Sequence, residues 1–144
     1  MKIKKLFFDA NIFNDIFDET RTSHSLSKAA LKLALENNIT PYTSCDIVTN
    51  IYYITSKYTS SQKALDALDA LKVSVEIIPF SAEELTQTIH LMRNDSDFVD
   101  MEDTIQYILA LQNQCDYIIT NDKKFVSKKI PAISAKKFLA LMTP

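Results

Sequence analysis

Three aspartates occupy positions from which their carboxylates could act together. Asp9 ends the first apolar run of the chain, and Asp122 lies just past a short apolar run at residues 117–119. Asp103 opens an amphipathic segment. Carboxylates brought to one place repel each other, and a cation between them removes that repulsion. Because neither His nor Cys accompanies them, the donors are all oxygens, which suits Mg²⁺ or Mn²⁺ rather than zinc.

Each of these acids also has a simpler interpretation when it is taken alone. Asp9 could cap the helix that follows it, and Asp122 could be the first residue of an Asx-turn. Asp103 could interact with the positive end of a helix dipole. The choice between these roles and a shared metal site depends on the elements that position the three acids.

Short apolar runs alternate with amphipathic segments along the whole chain. The amphipathic segments predict helices, and strands are predicted at residues 3–8, 39–43, 73–77, 117–119 and 130–133. This order is typical of an α/β protein, a three-layer sandwich in which helices flank a central parallel sheet. No linker or repeat divides the chain, so we expect one domain over residues 1–144. In such sheets the ligand site lies at the carboxyl ends of the strands, which is where Asp9 and Asp122 fall.

Three serines are predicted to begin helices. Ser44 and Ser134 each follow a predicted strand and precede an apolar stripe. Ser81 and Glu84 have the spacing of a capping box, in which each side chain bonds to the other's backbone. These signals divide the chain into elements without any glycine, since the sequence has none.

The absence of glycine excludes several classes of nucleotide-binding protein. Walker loops, dinucleotide fingerprints and kinase glycine loops all need glycine for the backbone to approach a phosphate. If the protein handles phosphate, it must use side chains or a metal. Two cysteines and the lack of a signal-like or membrane-spanning run predict a cytoplasmic protein with no membrane contact.

Charge is distributed unevenly in spite of a formal net charge of only −2. Residues 95–103 contain five acids, whereas residues 123–144 contain six lysines and no acid. Lys123 and Lys124 follow Asp122 directly. This pattern predicts a metal site bordered by an edge that binds a polyanion such as RNA, with these two lysines contacting it. A solvated acidic loop and a solvated basic helix would give the same charges.

Three segments resemble the motifs of the PIN-domain nucleases, in the right order and over nearly the whole chain. They are Phe8-Asp9-Ala10-Asn11, Asp97-Phe-Val-Asp100-Met-Glu-Asp103 and Thr120-Asn-Asp122-Lys-Lys-Phe125. The sequence is most similar in this respect to bacterial VapC-type toxins and stand-alone PIN proteins. The resemblance implies a Mg²⁺- or Mn²⁺-dependent endoribonuclease, often the toxin of a toxin–antitoxin pair and often a homodimer. Its partners would then be RNA and an antitoxin protein.

The resemblance also assigns roles to particular residues. It makes Asp9, Asp103 and Asp122 the catalytic, metal-binding acids and Asp100 a supporting catalytic acid. The residues expected to support the site by hydrogen bonding or with a neutral oxygen are Asn11, Thr120 and Asn50.

The chain departs from the family pattern at two positions. Ala10 stands where the family usually has threonine, and Asn50 stands where it usually has a glutamate in the helix after the second strand. The second change removes a negative charge. Asp46 lies one turn earlier on the same helix face, where it could compensate or could simply be a surface charge.

Two other functions remain open from the sequence. One is a PIN scaffold of weak or no activity that binds RNA or a partner protein, which the Asn50 substitution favours. The other is a haloacid-dehalogenase-like phosphatase, since those enzymes also begin with an aspartate after the first strand. That class needs a second aspartate where Asn11 stands.

Overall fold

A five-stranded sheet forms the centre of the computed structural model, which describes residues 2–144. All neighbouring strands pair in parallel, in the order β3-β2-β1-β4-β5. The strands are β1 Lys5–Phe8, β2 Thr40–Ser44, β3 Glu76–Ile78, β4 Tyr117–Ile119 and β5 Ala132–Ile133. The predicted α/β sandwich with a central parallel sheet is therefore confirmed.

Helices connect the strands and cover both faces of the sheet. They are α1 Ala10–Ile16, α2 His24–Glu36, α3 Val48–Tyr58, α4 Ser61–Ser74, α5 Ala82–Asn94, α6 Met101–Gln112 and α7 Ala135–Met142, with a 3₁₀ turn at Cys45–Ile47. Within residues 2–144, none of these helices has the length and apolar character needed to span a bilayer.

Side chains alternate between two hydrophobic cores along each central strand, because successive residues of a strand point to opposite faces. On β1, Leu6 and Phe8 belong to the core shared with α1, α2, α3 and α7, whereas Phe7 belongs to the core beneath α6. On β4, Ile119 and Ile118 divide in the same way. All five side chains are fully buried, and burial of a large apolar side chain stabilises a fold by about 1.5–3 kcal/mol.

Most of the predicted helix signals act as expected. The Ser81 and Glu84 capping box opens α5, and the Ser134 hydroxyl accepts a hydrogen bond from Lys137 N at 3.1 Å to open α7. Helix α2 ends at Glu36, and the nearby Asn38 has φ of 57°, a left-handed conformation that asparagine tolerates.

Two local predictions are wrong. Ser44 does not cap an α-helix: its hydroxyl donates to the Asp46 carboxylate, and the chain makes a 3₁₀ turn before α3 begins. The predicted strand at residues 73–77 begins too early, because α4 continues to Ser74 and leaves Val73 90% exposed. Only the last part of that segment forms β3, so a three-residue alternation was too weak to outweigh helix propagation.

The strand order reverses between β1 and β4. The connections from β1 lead to β2 and β3 on one side, and the chain then crosses to β4 and β5 on the other. A crevice forms at the carboxyl ends of the two strands that flank such a switch point. Asp9 and Thr120, the residues that follow β1 and β4, lie at this position.

Candidate functional site

Asp9 is held at the end of β1 by its backbone and its side chain together. Its N–H donates to the Ile119 carbonyl at 3.0 Å, which extends the pairing of β1 with β4 by one residue. Its Oδ1 accepts from the N–H of Ala10 at 2.7 Å, so Asp9 is also the N-cap of α1. The capping role and a role in a site are therefore compatible at this residue.

Asn11 and Thr120, the residues expected to support the first acid, both contact it. The Thr120 hydroxyl donates to Asp9 Oδ2 at 2.8 Å, and Asn11 Nδ2 donates to the same oxygen at 3.1 Å. The Thr120 hydroxyl also accepts from the N–H of Asp122 at 3.1 Å. This chain of hydrogen bonds joins the turn that carries Asp122 to the buried Asp9.

Asp103 enters the site from the first turn of α6. The Oδ1 of Asp100 accepts from Asp103 N at 2.9 Å, so Asp100 is the N-cap of that helix. The positive end of the helix dipole favours acids in the first turn, which partly offsets the concentration of negative charge there. Asp100 thus fixes the backbone of Asp103 as well as adding a charge beside it.

Electrostatic coupling shows that these acids share one environment. Burial raises the pKa of Asp103 to about 7, with further contributions from the charges of Asp9, Asp100, Asp122 and Glu102. Burial also raises the pKa of Asp9, and its hydrogen-bond donors only partly counteract this. In residues 2–144, no Lys, Arg or His forms an ion pair with any of these acids. The cluster therefore carries negative charge that the described protein does not neutralise.

Two further acids are coupled to the cluster: Glu102, which was missed as a site residue, and Asp46, for which a compensating role was one of two interpretations. Glu102 has its pKa raised by burial and then by the charges of Asp46, Asp9 and Asp100. Burial raises the pKa of Asp46 too. The interpretation of Asp46 as a plain surface charge is thus not supported, because its charge reaches Glu102. The short segment that carries Asp46 is the 3₁₀ turn after β2.

Asn50, which was aligned with the family's glutamate, has a different neighbour. Its Oδ1 accepts from Asn14 Nδ2 on α1 at 3.1 Å. The acid from this part of the chain that couples to the cluster is Asp46, one turn before Asn50. A site role for Asn50 remains a prediction.

Metal-bridging geometry, which the sequence predicted for Asp9, Asp103 and Asp122, is not preformed. Nowhere in residues 2–144 do three or more His, Cys, Asp or Glu side chains approach closely enough to hold an ion. Carboxylates repel one another, so closer approach of these acids would need a cation between them. The donor chemistry nevertheless fits Mg²⁺ or Mn²⁺, since the clustered groups are all oxygens and their charges are coupled.

Lys124 lies beside the acids, as its position after Asp122 predicted. It lines a small cleft together with Asp100, Asp103 and Phe98, and its N–H donates to Asp122 Oδ1 at 2.9 Å. Lys123 is exposed. The ammonium group of Lys124 can therefore contact an anion that approaches Asp103. Lys123 adds a second, exposed positive charge next to it.

Asn121, between Thr120 and Asp122, anchors the turn from the opposite side. Its Nδ2 donates to the buried Asp15 carboxylate at 2.9 Å and to Ser27 Oγ at 3.0 Å, and its Oδ1 accepts from the N–H of Ala135 at 3.1 Å. These bonds link the turn to α1, α2 and α7. Sequence reasoning missed this residue because its partners are distant in the chain.

Sequence comparisons relate the chain to one known protein family. The sequence pattern of the PIN domain matches residues 5–124. The chain is 40% identical over 138 residues to Ribonuclease VapC1 of Aquifex aeolicus (strain VF5), an alignment that covers 96% of this chain and 95% of that protein.

Solved structures of low sequence identity share the fold. VapBC2 from Rickettsia felis, bound to a DNA fragment from its promoter, aligns with a TM-score of 0.72 and 19% identity over 90% of this chain and 98% of that one. Mycobacterium tuberculosis VapC20, a sarcin–ricin loop cleaving toxin, aligns with a TM-score of 0.70 and 15% identity over 83% and 92%. The solved structures show only a shared fold, whereas the family pattern and the 40% identical relative also show the family. The chain belongs to the PIN domain family.

Proposed function

We propose that this protein is a metal-dependent ribonuclease that hydrolyses RNA phosphodiester bonds, and that it is the toxin of a toxin–antitoxin pair. Family membership and the 40% identical ribonuclease support the reaction class. The observation that carries the metal dependence is the cluster of coupled acids at the sheet's switch point, where Asp103 has a pKa of about 7. Such a cluster needs a cation to be fully ionised near neutral pH.

Asp9, Asp103 and Asp122 would hold Mg²⁺ or Mn²⁺. When bound, such a cation stabilises negative charge on the phosphate and makes water more acidic. Asp9 is oriented for this task by Thr120 and Asn11, whose hydrogen bonds leave its carboxylate little freedom to rotate.

The remaining roles are electrostatic. Asp100 and Glu102 add negative charge that attracts the cation, and Asp46 adds further negative charge near Glu102. Lys124, with Lys123 beside it, gives the RNA backbone a contact that carries no sequence preference. The acids thereby bind the cation while the lysines bind the polyanion.

An RNA cleavage assay tests this function. Purified protein is freed of metal, then incubated with a mixed-sequence RNA in EDTA, Mg²⁺ or Mn²⁺. We expect cleavage only with metal, and loss of cleavage in Asp9→Asn. Asp69→Asn, an exposed acid on α4, is the matched control and should cleave like the wild type. Equal cleavage by Asp9→Asn would mean that the activity is a contaminant or uses another site.

An antitoxin partner is proposed from a structural neighbour, which was solved as a VapBC assembly. We also propose a homodimer. Three exposed tyrosines on α3, Tyr52, Tyr53 and Tyr58, offer aromatic surface of the kind common at interfaces. Light scattering of the purified chain should give the mass of a dimer, and a monomer mass would remove that part of the proposal. An RNA substrate, together with the free thiols Cys45 and Cys115, fits a reducing cytoplasmic compartment.

A PIN scaffold without activity is the second candidate, and one observation favours it. Asn50 is neutral, so the helix after β2 contributes no charge from the position of the family's glutamate. Its Oδ1 instead accepts a hydrogen bond from Asn14. Binding of RNA without cleavage in Mn²⁺ would favour this candidate. The phosphatase interpretation receives no support. Asn11 stands where that class needs a second aspartate, and its amide is used in hydrogen bonds: Nδ2 donates to Asp9, and Oδ1 accepts from the N–H of Asn121.

A further inference from the structure

Gln106 is a buried polar residue for which the fold provides no hydrogen bond. Its side chain is fully buried in α6, and neither its Nε2 nor its Oε1 has a partner among residues 2–144. Glutamine is mostly found at protein surfaces, and buried polar groups are nearly always hydrogen-bonded. A buried amide without hydrogen bonds destabilises the protein, so its presence at this position needs another explanation.

The position of Gln106 connects it to the acid cluster. It follows Asp103 by three residues on α6, so the two side chains share one face of the helix. Asp103 is half-buried, whereas Gln106, about one turn further along α6, is fully buried. The neighbouring residues of α6 are buried as well, which leaves the amide without access to solvent.

Asp9 is the acid that Gln106 approaches. Burial raises the pKa of Asp9. The hydroxyl of Thr120 and, to a smaller extent, the amide of Gln106 lower it again. The amide thus affects the Asp9 carboxylate while falling short of hydrogen-bond geometry. Asp9 Oδ2 already accepts from two donors, whereas Oδ1 accepts from Ala10 alone, so one of its lone pairs is still available.

We propose that Gln106 is a positioning residue for the cation site, whose buried amide completes its hydrogen bonding to Asp9 when a divalent cation draws the acids together. The inference rests on the proposed metal-dependent function. In the metal-free protein the amide is a source of instability, and in the metal-bound protein it holds Asp9 in place. This is how a group kept for function, rather than for stability, should behave.

Gln106→Met provides the test, because methionine follows the shape of glutamine without its polar atoms. We expect the metal-free variant to melt at the same temperature as the wild type or higher. We expect its affinity for Mn²⁺, measured by calorimetry, to fall about 10- to 100-fold, the range seen when a residue that orients a metal ligand is replaced. Gln106→Leu is a second variant with the same expected result.

Gln112→Met is the matched control, since Gln112 is an exposed glutamine on the same helix. It should change neither the metal-free melting temperature nor the Mn²⁺ affinity. Two results would overturn the proposal: a clear loss of metal-free stability in both Gln106 variants, which would make the amide structural, or an unchanged Mn²⁺ affinity, which would make it idle. If the wild type itself does not bind Mn²⁺, the proposed function fails first, and this inference fails with it.

Discussion

Two groups of acids within residues 95–103 meet opposite electrostatic environments. Asp95 and Asp97 share Lys128, whose Nζ lies 2.7 Å and 2.8 Å from their carboxylates. The hydrogen bond from Lys128 holds the pKa of Asp95 below its usual range. Asp103, a few residues later, has its pKa raised by burial and by neighbouring acids.

The difference separates a structural ion pair from the acids that we propose hold an external cation. Lys128 joins the loop before α6 to the segment after β4, and its ammonium lies 5.7 Å from the centre of the Phe98 ring. It therefore neutralises one end of the acidic stretch and leaves the other end uncompensated. The sequence shows five acids within nine residues, and the fold places them in two different electrostatic environments.

Replacement of one acid from each group should have the largest and most unequal effect. We expect Asp103→Asn to lower ribonuclease activity at least about 100-fold, because a direct ligand should matter more than the residues that orient it. It should also abolish stabilisation by Mn²⁺. Asp95→Asn should keep both properties, and the two variants can be compared by cleavage rate and by melting with and without Mn²⁺. Equal losses in both would remove the distinction between the groups.

The metal-free protein should lose stability as the pH rises. The pKa of Asp103 is raised from 3.8 to about 7, so the folded state binds its proton more tightly than the unfolded state does. Stability from this group is therefore present at low pH and falls as the pH rises from 3.8 through about 7. Denaturant titrations across this window should show the decline in the wild type, and a weaker decline in Asp103→Asn. A decline that Mn²⁺ does not reverse would contradict the metal assignment.

Lys128→Met should act with the opposite pH dependence and a smaller amplitude. The lowered pKa of Asp95 means that the ion pair stabilises the protein above pH 3.8 and that this contribution is lost as the pH falls below it. Methionine has an unbranched side chain of similar length to lysine, so the substitution removes mainly the charge. The effect at neutral pH should be small because the pair is partly exposed, and it should decrease in high salt. Melting curves at pH 7 and pH 3 measure it, and an equal loss at both would point to packing.

The smallest expected effect concerns the basic edge. Lys123→Ala combined with Lys124→Ala should weaken RNA binding, reduce the slope of log affinity against log salt by about 1 to 2, and leave Mn²⁺ binding intact. Lys136→Ala combined with Lys137→Ala is the control, since these lysines belong to α7. An unchanged slope in the first variant would move the RNA path to another part of the surface.

The sequence alone predicts much of the fold and of the candidate site. The alternation of apolar runs predicted the parallel sheet, and the carboxyl-end rule selected Asp9 and Asp122. Hydrogen bonds confirm that Asn11 and Thr120 contact Asp9, as the family motifs implied. These successes share a cause, because each depends on residues that lie at or next to the end of a strand.

The errors arise where backbone geometry changes the direction of a side chain. Ser44 was predicted to begin an α-helix, and Asp46 was placed on the surface of that helix as one of two interpretations. The chain instead makes a 3₁₀ turn of three residues per turn rather than 3.6, and the charge of Asp46 in that turn contributes to the raised pKa of Glu102. Gln106 was overlooked because burial all round α6 is a tertiary effect that a polar letter in the sequence does not reveal.

A crystal soaked in Mn²⁺ would test the central claim most directly. Anomalous scattering locates the ion without reference to activity, and it distinguishes the two groups of acids in one experiment. We predict a Mn²⁺ peak bounded by Asp9, Asp103 and Asp122, with the Lys128 pair to Asp95 and Asp97 unchanged. A peak at Asp95 and Asp97, or none near Asp103, would contradict the assignment of the cluster as the metal site of a nuclease.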